Sequence, residues 1–142
     1  MAQAYKTIHE YQSLTVASTN LNVLPAGTNL ILTSAQDGNV VLLNATAGSI
    51  VNLPSPQSGA LFTFLVSATG GHVVAAPSAS IYGSIMASNP TAGSSMLTTG
   101  PAKTTISTTT GSAVGDTFTL VSDGTNFYVK GSVANFNAAK FM

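Results

Sequence analysis

The strongest structural signal in this chain is a dense series of short segments in which apolar and polar residues alternate between turn-forming residues. Alternation with a period of two is typical of β-strands that bury one face. No long stretch holds the apolar spacing of an amphipathic helix. The sequence therefore predicts an all-β fold, a compact β-sandwich or barrel that is jelly-roll-like. The alternating segments lie at 28–33, 39–44, 49–53, 60–67, 72–76, 81–86 and 104–108, with a final pair within 115–131.

The turn signals indicate how some of these strands connect. The cluster SAQDG separates 28–33 from 39–44 and predicts an antiparallel hairpin, because Asp and Gly accept turn dihedral angles. Segment 60–67 is apolar on one face and nearly so on the other, which predicts a central strand. Residues 88–100 are rich in Gly, Ser and Thr and are predicted to form a loose connection.

A second hairpin is predicted around the turn sequence SDGTN. Alternation places Phe118 and Leu120 on one face of its first strand. Phe127 and Val129 share a face of its second strand, and Tyr128 points the other way. Cross-strand aromatic and β-branched pairs stabilise such hairpins. We therefore expect this hairpin to be a folding and assembly element.

The 142 residues fit one domain with different terminal segments. We predict an N-terminal arm over 1–22, a β-domain over 23–132 and a C-terminal tail over 133–142. The tail carries Phe136 and Phe141, and an apolar tail is expected to dock on its own domain or on a neighbour.

The N-terminal arm has no clean periodicity, and two interpretations of it stay open. It is either an extended segment that gains order only against a partner or an ordinary first strand of the sheet. In the first case its large side chains would contact a partner protein or another subunit, together with Tyr128, Phe136 and Phe141. These large arm side chains are Tyr5, Ile8, Tyr11 and Leu14.

Charged residues make up only 6% of the chain, against about 25% in typical soluble domains. Arginine is absent and the net charge is zero, which argues against nucleic-acid binding. No apolar run approaches the roughly 18 residues of a membrane span, and no secretory signal is evident, so we expect a soluble chain that is made in the cytoplasm and is not exported. Such a neutral surface suits a subunit packed against others.

Residues that could carry chemistry are few. The chain has no cysteine and two histidines, His9 and His72. Its three aspartates, Asp37, Asp116 and Asp123, all adjoin glycine at strand boundaries, where a turn or capping role explains them. The sequence therefore predicts no catalytic site, no metal site and no cofactor.

The order of motifs from SIVNLPSPQSGALFTFLVSATGGHVVAAP through IYGSI to VGDTFTLVSDGTNFYVKGS resembles a recurrent module of tailed-phage virion proteins. The similarity covers roughly residues 27–132 and leaves both termini outside. Trp often stands in that module where this chain has Phe127. The matching positions are Val51, Leu53, Pro54, Gly59, Phe62, Phe64, Asp116, Asp123, Gly124, Asn126, Phe127, Tyr128 and Val129.

The resemblance implies a small capsid decoration, or cement, protein on the outside of an icosahedral phage head. Such proteins are homotrimers that bridge neighbouring capsomers, so the implied partners are the major capsid protein and further copies of this chain. The alternative is a host-glycan-binding module of a tail or head fibre, with exposed tyrosines as its site. Tyr82 and Tyr128 are distant in sequence, and no aromatic cluster is evident. We therefore favour the decoration protein.

Overall fold

The computed structural model describes residues 22–89, 93–98, 103–108, 112–134 and 139–142. Within these ranges the only helical element is the short 3-10 turn Ser34–Gln36, and the rest is strands and their connections. The strands are β1 (Val23–Pro25), β2 (Asn29–Ile31), β3 (Val40–Leu43), β4 (Ile50–Asn52), β5 (Leu61–Val66), β6 (Val73–Ala75), β7 (Ile81–Asn89), β8 (Gly93–Thr98), β9 (Thr105–Thr108), β10 (Thr117–Ser122), β11 (Phe127–Val133) and β12 (Ala139–Phe141).

The strands form two mixed sheets packed into a sandwich. One sheet has seven strands in the order β1-β3-β5-β10-β11-β7-β8, and the other has five in the order β12-β9-β6-β4-β2. Apolar side chains from both inner faces meet in a single core. The predicted all-β sandwich is confirmed. Its topology includes parallel pairings, which the antiparallel jelly roll lacks.

The first half of the chain winds as a stack of three coils. Each coil places one strand in each sheet, so β1, β3 and β5 pair in parallel in one sheet and β2, β4 and β6 do so in the other. Successive coils are offset by about 20 residues, the scale of a solenoid repeat. Equivalent inward side chains stack in two ladders, Leu24–Val41–Phe64 in one sheet and Leu30–Val51–Val74 in the other.

The predicted hairpin between 28–33 and 39–44 is wrong. Strands β2 and β3 lie in different sheets and do not pair. The turn residues between them bond instead to the next coil, because Asp37 Oδ1 accepts the Leu61 amide at 2.6 Å and the Gly38 amide donates to the Leu61 carbonyl at 2.8 Å. The same Asp-Gly signal therefore makes a corner between two sheets.

The second half closes the seven-stranded sheet with the predicted SDGTN hairpin, which is confirmed. Strands β10 and β11 pair antiparallel, and Leu120 lies opposite Val129 on the buried face. Strand β10 also pairs with β5, which makes β5 the interior strand that the sequence predicted. The rings of Phe64 and Phe118 stack across this junction at 5.1 Å between centroids. This stack joins the coiled half to the hairpin.

The connecting segment 88–100 differs from expectation, whereas the C-terminal tail docks in one of the two expected ways. The predicted loose connection over 88–100 contains β8, which pairs antiparallel with β7. Its small hydroxyl residues gave no apolar alternation to recognise. The C-terminal tail contributes β12, which pairs with β9 on its own domain. Phe141 is half-buried and packs on the core, whereas Phe136 and the arm residues 1–21 lie outside the described residues.

Candidate functional site

An exposed row of apolar side chains crosses four neighbouring strands on the outer face of the seven-stranded sheet. Leu61 on β5 pairs with Val121 on β10, Val121 pairs with Tyr128 on β11, and Tyr128 pairs with Tyr82 on β7. Leu61, Val121 and Tyr128 are 38%, 41% and 45% exposed, and Tyr82 is half-buried. We call these four residues the outer row. A solvated sheet face normally carries polar side chains at such positions, so the row is a candidate interaction surface.

The next outward row along these strands is polar. Thr63, Thr119, Lys130 and Ser84 follow one another in register, and the hydroxyls of Thr63 and Thr119 are 3.3 Å apart. The threonine side chains thus satisfy each other on the surface. On these four strands the polar row therefore bounds the outer row on one side.

The two tyrosines of the outer row form an aromatic pair. Their ring centroids are 6.0 Å apart and the ring planes are tilted by 30°. Such a tilted arrangement is within the range in which aromatic rings attract each other. The sequence analysis missed this cluster, because the parallel pairing of β7 with β11 joins two segments that are far apart in the chain. No local pattern indicates that pairing.

Asp123 holds Tyr128, an interior member of the outer row. Its Oδ1 accepts the amides of Thr125 and Asn126, both at 2.8 Å, which closes the turn. The Tyr128 hydroxyl donates to Oδ2 at 2.9 Å. The Asn126 amide, then the Thr125 amide and the Tyr128 hydroxyl, hold the pKa of Asp123 below its ordinary value. The hydrogen bond to Asp123 and its charge raise the pKa of Tyr128.

The other two aspartates also bind backbone amides. Asp37 accepts the Leu61 amide at the corner between coils. Asp116 is buried and accepts the amides of Ala113 at 2.9 Å and Ala134 at 2.7 Å, joining the start of β10 to the end of β11. Their geometry agrees with the predicted turn and capping roles.

His72 is fully buried at a corner of the sandwich, and both of its ring nitrogens bind backbone groups. Nδ1 accepts the Ser49 amide at 3.0 Å, and Nε2 lies 2.8 Å from the Ala68 carbonyl oxygen. Since Nδ1 is an acceptor, the ring carries its proton on Nε2 and donates it to Ala68. This arrangement ties two connections between the sheets together and leaves no ring nitrogen for a reaction.

The described part of the chain places no group of three or more His, Cys, Asp or Glu residues where they could hold a metal ion. It also contains no helix that is long and apolar enough to cross a membrane. The absence of catalysis and of cofactors stays a prediction.

Of the predicted contact residues, the structure places Tyr128 in the outer row and Phe141 against the core. Fold and surface together define a two-sheet β-protein with an exposed apolar strip. No family model matches the chain, and no curated protein or solved structure matches it.

Proposed function

We propose that this protein is a virion structural protein, a capsid decoration protein that binds the outer surface of an icosahedral phage head. It would stabilise the head by bridging capsomers, with the major capsid protein and further copies of itself, as a homotrimer, as its partners. The observation that carries the proposal is the outer row, because an ordered sheet face that exposes Leu61, Val121 and Tyr128 suits protein contact.

The chemistry of the outer row fits a protein partner. Aromatic side chains are enriched in the cores of protein interfaces, whereas charged ones are depleted there. Tyr128 contributes an apolar ring, and its hydroxyl is already bonded to Asp123, so burying it leaves no unpaired donor. The zero net charge of the chain removes long-range repulsion between copies.

Seven of the thirteen positions that carry the resemblance to phage virion proteins are buried. Val51, Phe62, Phe64 and Phe127 are fully buried, and Asp123 and Gly124 form the hairpin turn. The shared motif is therefore a set of folding residues. It supports a similar fold, and the outer row supplies the separate argument for contact.

The first test is immunogold labelling of phage particles with an antibody to this chain. An even coat of label on the head is the expected result. Label confined to the tail or its fibres would contradict the decoration role and favour the fibre module.

The second test substitutes the outer row. Val121→Asp places a charge in the strip and should weaken binding to heads that lack the protein by at least tenfold, or about 1.4 kcal/mol. The matched control is Val114→Asp, since Val114 is 66% exposed on the connection before β10, away from the row. Equal binding by both variants would exclude the outer row as the contact.

A glycan-binding module is the second candidate, and the Tyr82–Tyr128 pair favours it. Two neighbouring rings beside the Asp123 carboxylate offer a surface for the C–H face of a sugar and an acceptor for its hydroxyls. Oligosaccharide titrations followed by NMR would test this candidate. Selective shifts at both tyrosines, lost in Tyr82→Ala, are expected if it is correct, and no shifts would remove it.

A further inference from the structure

The three-coil stack has an open end. Among the strands that the structure describes, β1 is the last of the seven-stranded sheet and β2 is the last of the five-stranded sheet. Both belong to the first coil, so the two free sheet edges lie together at one end of the stack. We call this surface the open end.

Backbone groups at the open end point away from the stack. On β2, the Thr28 carbonyl and the Leu32 amide bond to β4, at 3.0 and 2.9 Å. The alternation of a parallel strand therefore turns the N–H and C=O groups of Asn29 and Ile31 to the free side. By the same alternation the N–H and C=O groups of Val23 point to the free side of β1, because the carbonyl of the neighbouring Asn22 accepts the Val40 amide. These groups are a template for strand addition.

The inner side chains of the first coil are also incompletely covered. Leu24 and Leu30 are only half-buried, whereas Val41 and Val51, the next members of their ladders, have no exposed surface. Stacked repeats need a cap at each end for this reason, since the last repeat cannot bury its own apolar face. The open end is therefore a docking surface for further strands with apolar side chains.

The segment that fits in length and composition is residues 1–21, which precede β1. It is about as long as one coil, roughly 20 residues, and it carries large side chains with few charges. Its apolar residues include Ile8, Leu14 and Val16, of which Leu14 and Val16 repeat the spacing of Leu30 in β2 and Leu32 just after it. Strand addition with alternate side chains in pockets is a general mode of peptide recognition.

The turn chemistry favours the segment of a neighbouring copy over that of the same chain. The connection from β6 to β7, which leaves the stack, has Ala79 two residues before the strand. In both connections from one coil of the stack to the next, a glycine stands at that place. These are Gly38 at φ 80° and Gly59 at φ 84°. The equivalent residue before β1 is Leu21, and a leucine rarely adopts positive φ. The sequence before β1 thus lacks the glycine that both coil-to-coil turns use, which favours a segment donated by a neighbouring copy.

We propose that the open end binds residues 1–21 of a neighbouring copy by strand addition. This deepens the proposed function and rests on its self-association, but it does not require the capsid. Each copy would donate one segment and accept another, a head-to-tail interface that closes as a ring, which a trimer can form. Tyr5, Ile8, Tyr11 and Leu14 would then be subunit contacts.

Hydrogen exchange combined with sedimentation tests the proposal in the full chain. We expect an oligomer at micromolar concentration, with the Val23, Asn29 and Ile31 amides exchanging at least tenfold more slowly than in the dilute monomer. Deleting residues 2–21 should leave a folded monomer in which these amides exchange rapidly. Adding a peptide of residues 1–21 to that monomer should restore their protection.

An edge variant provides the matched comparison. Ile31→Pro removes the outward N–H without touching the amides that bond to β4, and Ile31→Thr keeps that N–H. The proline variant should dissociate and the threonine variant should not. If these amides stay protected in a monomer, residues 1–21 of the same chain cover the open end, and the proposal is wrong. Rapid exchange of these amides in a stable oligomer would also overturn the proposal. The labelling of phage heads tests the capsid role independently.

Discussion

Gly131 on β11 lies directly opposite Phe118 on β10, so close that a Cβ on Gly131 would overlap the Cβ of Phe118. The missing side chain leaves room for the Phe118 ring, which stacks on Phe64 of the neighbouring strand at an angle of 17°. The position where the coiled half meets the hairpin therefore depends on a glycine for space.

Gly131→Ala should destabilise the fold by about 1–3 kcal/mol, the usual cost of overpacking a core. The substitution puts its Cβ against backbone and a ring-bearing Cβ, which cannot move aside easily. The control is Gly71→Ala, whose Cβ would meet only the Thr108 carbonyl oxygen at an ordinary 3.6 Å. Urea unfolding measures both, and equal stabilities would show that the β10–β11 pairing has room to spare.

Asp123→Asn should lower the pKa of Tyr128 towards its ordinary value of about 10, because the hydrogen bond to a carboxylate and its charge raise it. NMR of the tyrosine rings measures the titration. Asp37→Asn, far from Tyr128 in the chain, serves as the control and should leave it unchanged. A Tyr128 titration identical in all three proteins would mean that the bond to Asp123 does not persist in solution.

The same pair predicts the direction of the pH dependence of stability. The pKa of Asp123 is lowered in the folded state. Its contribution to the stability of the fold is therefore present above the unfolded pKa of about 4 and is lost as pH falls through the folded pKa. The pKa of Tyr128 is raised in the folded state. Its contribution to the stability of the fold is therefore present below about pH 10 and is lost as pH rises through the folded pKa. Thermal melts across pH should show both losses of stability, at low and at high pH, in the native protein. The parts of these losses that come from the Asp123–Tyr128 pair should be missing in Asp123→Asn.

His72→Leu should destabilise the protein by roughly 2–5 kcal/mol. The change leaves the Ser49 amide and the Ala68 carbonyl without their partner in a buried corner, and each unsatisfied group costs about 1–3 kcal/mol. Ser67→Ala is the control, since Ser67 is exposed and its hydroxyl makes only a 3.5 Å contact with the Leu43 carbonyl. Chemical denaturation showing less than about 1 kcal/mol for His72→Leu would place water at these groups.

Asp37→Ala should destabilise the corner between the first two coils by about 1–2 kcal/mol, because the Leu61 amide loses a charged acceptor. Hydrogen exchange at Leu61 should rise more than exchange at Leu120, which lies deeper in the sheet. Unchanged exchange at Leu61 would show that the corner is held by the Gly38–Leu61 backbone bond alone.

The sequence by itself predicted nine of the twelve described strands, all but β1, β8 and β12, and it predicted the two faces of the closing hairpin. Alternation placed Phe118 with Leu120 on one face, Phe127 with Val129 on one face, and Tyr128 on the opposite face. The structure agrees, because the first four side chains are buried and Tyr128 is exposed. These assignments succeed because side chains alternate across a strand by covalent geometry, whatever the partner strand. The turn at SDGTN was also readable, since Asp123 bonds to amides two and three residues ahead.

Only the tertiary structure decided which strands pair. The Asp-Gly turn at 37–38 has the same local chemistry as the one at 123–124, yet the first is a corner between sheets and the second closes a hairpin. The Tyr82–Tyr128 pair and the open end likewise depend on parallel pairings between distant segments. Alternation is identical for parallel and antiparallel partners, so pairing is selected by how the whole chain buries its apolar faces, a property that no single segment carries.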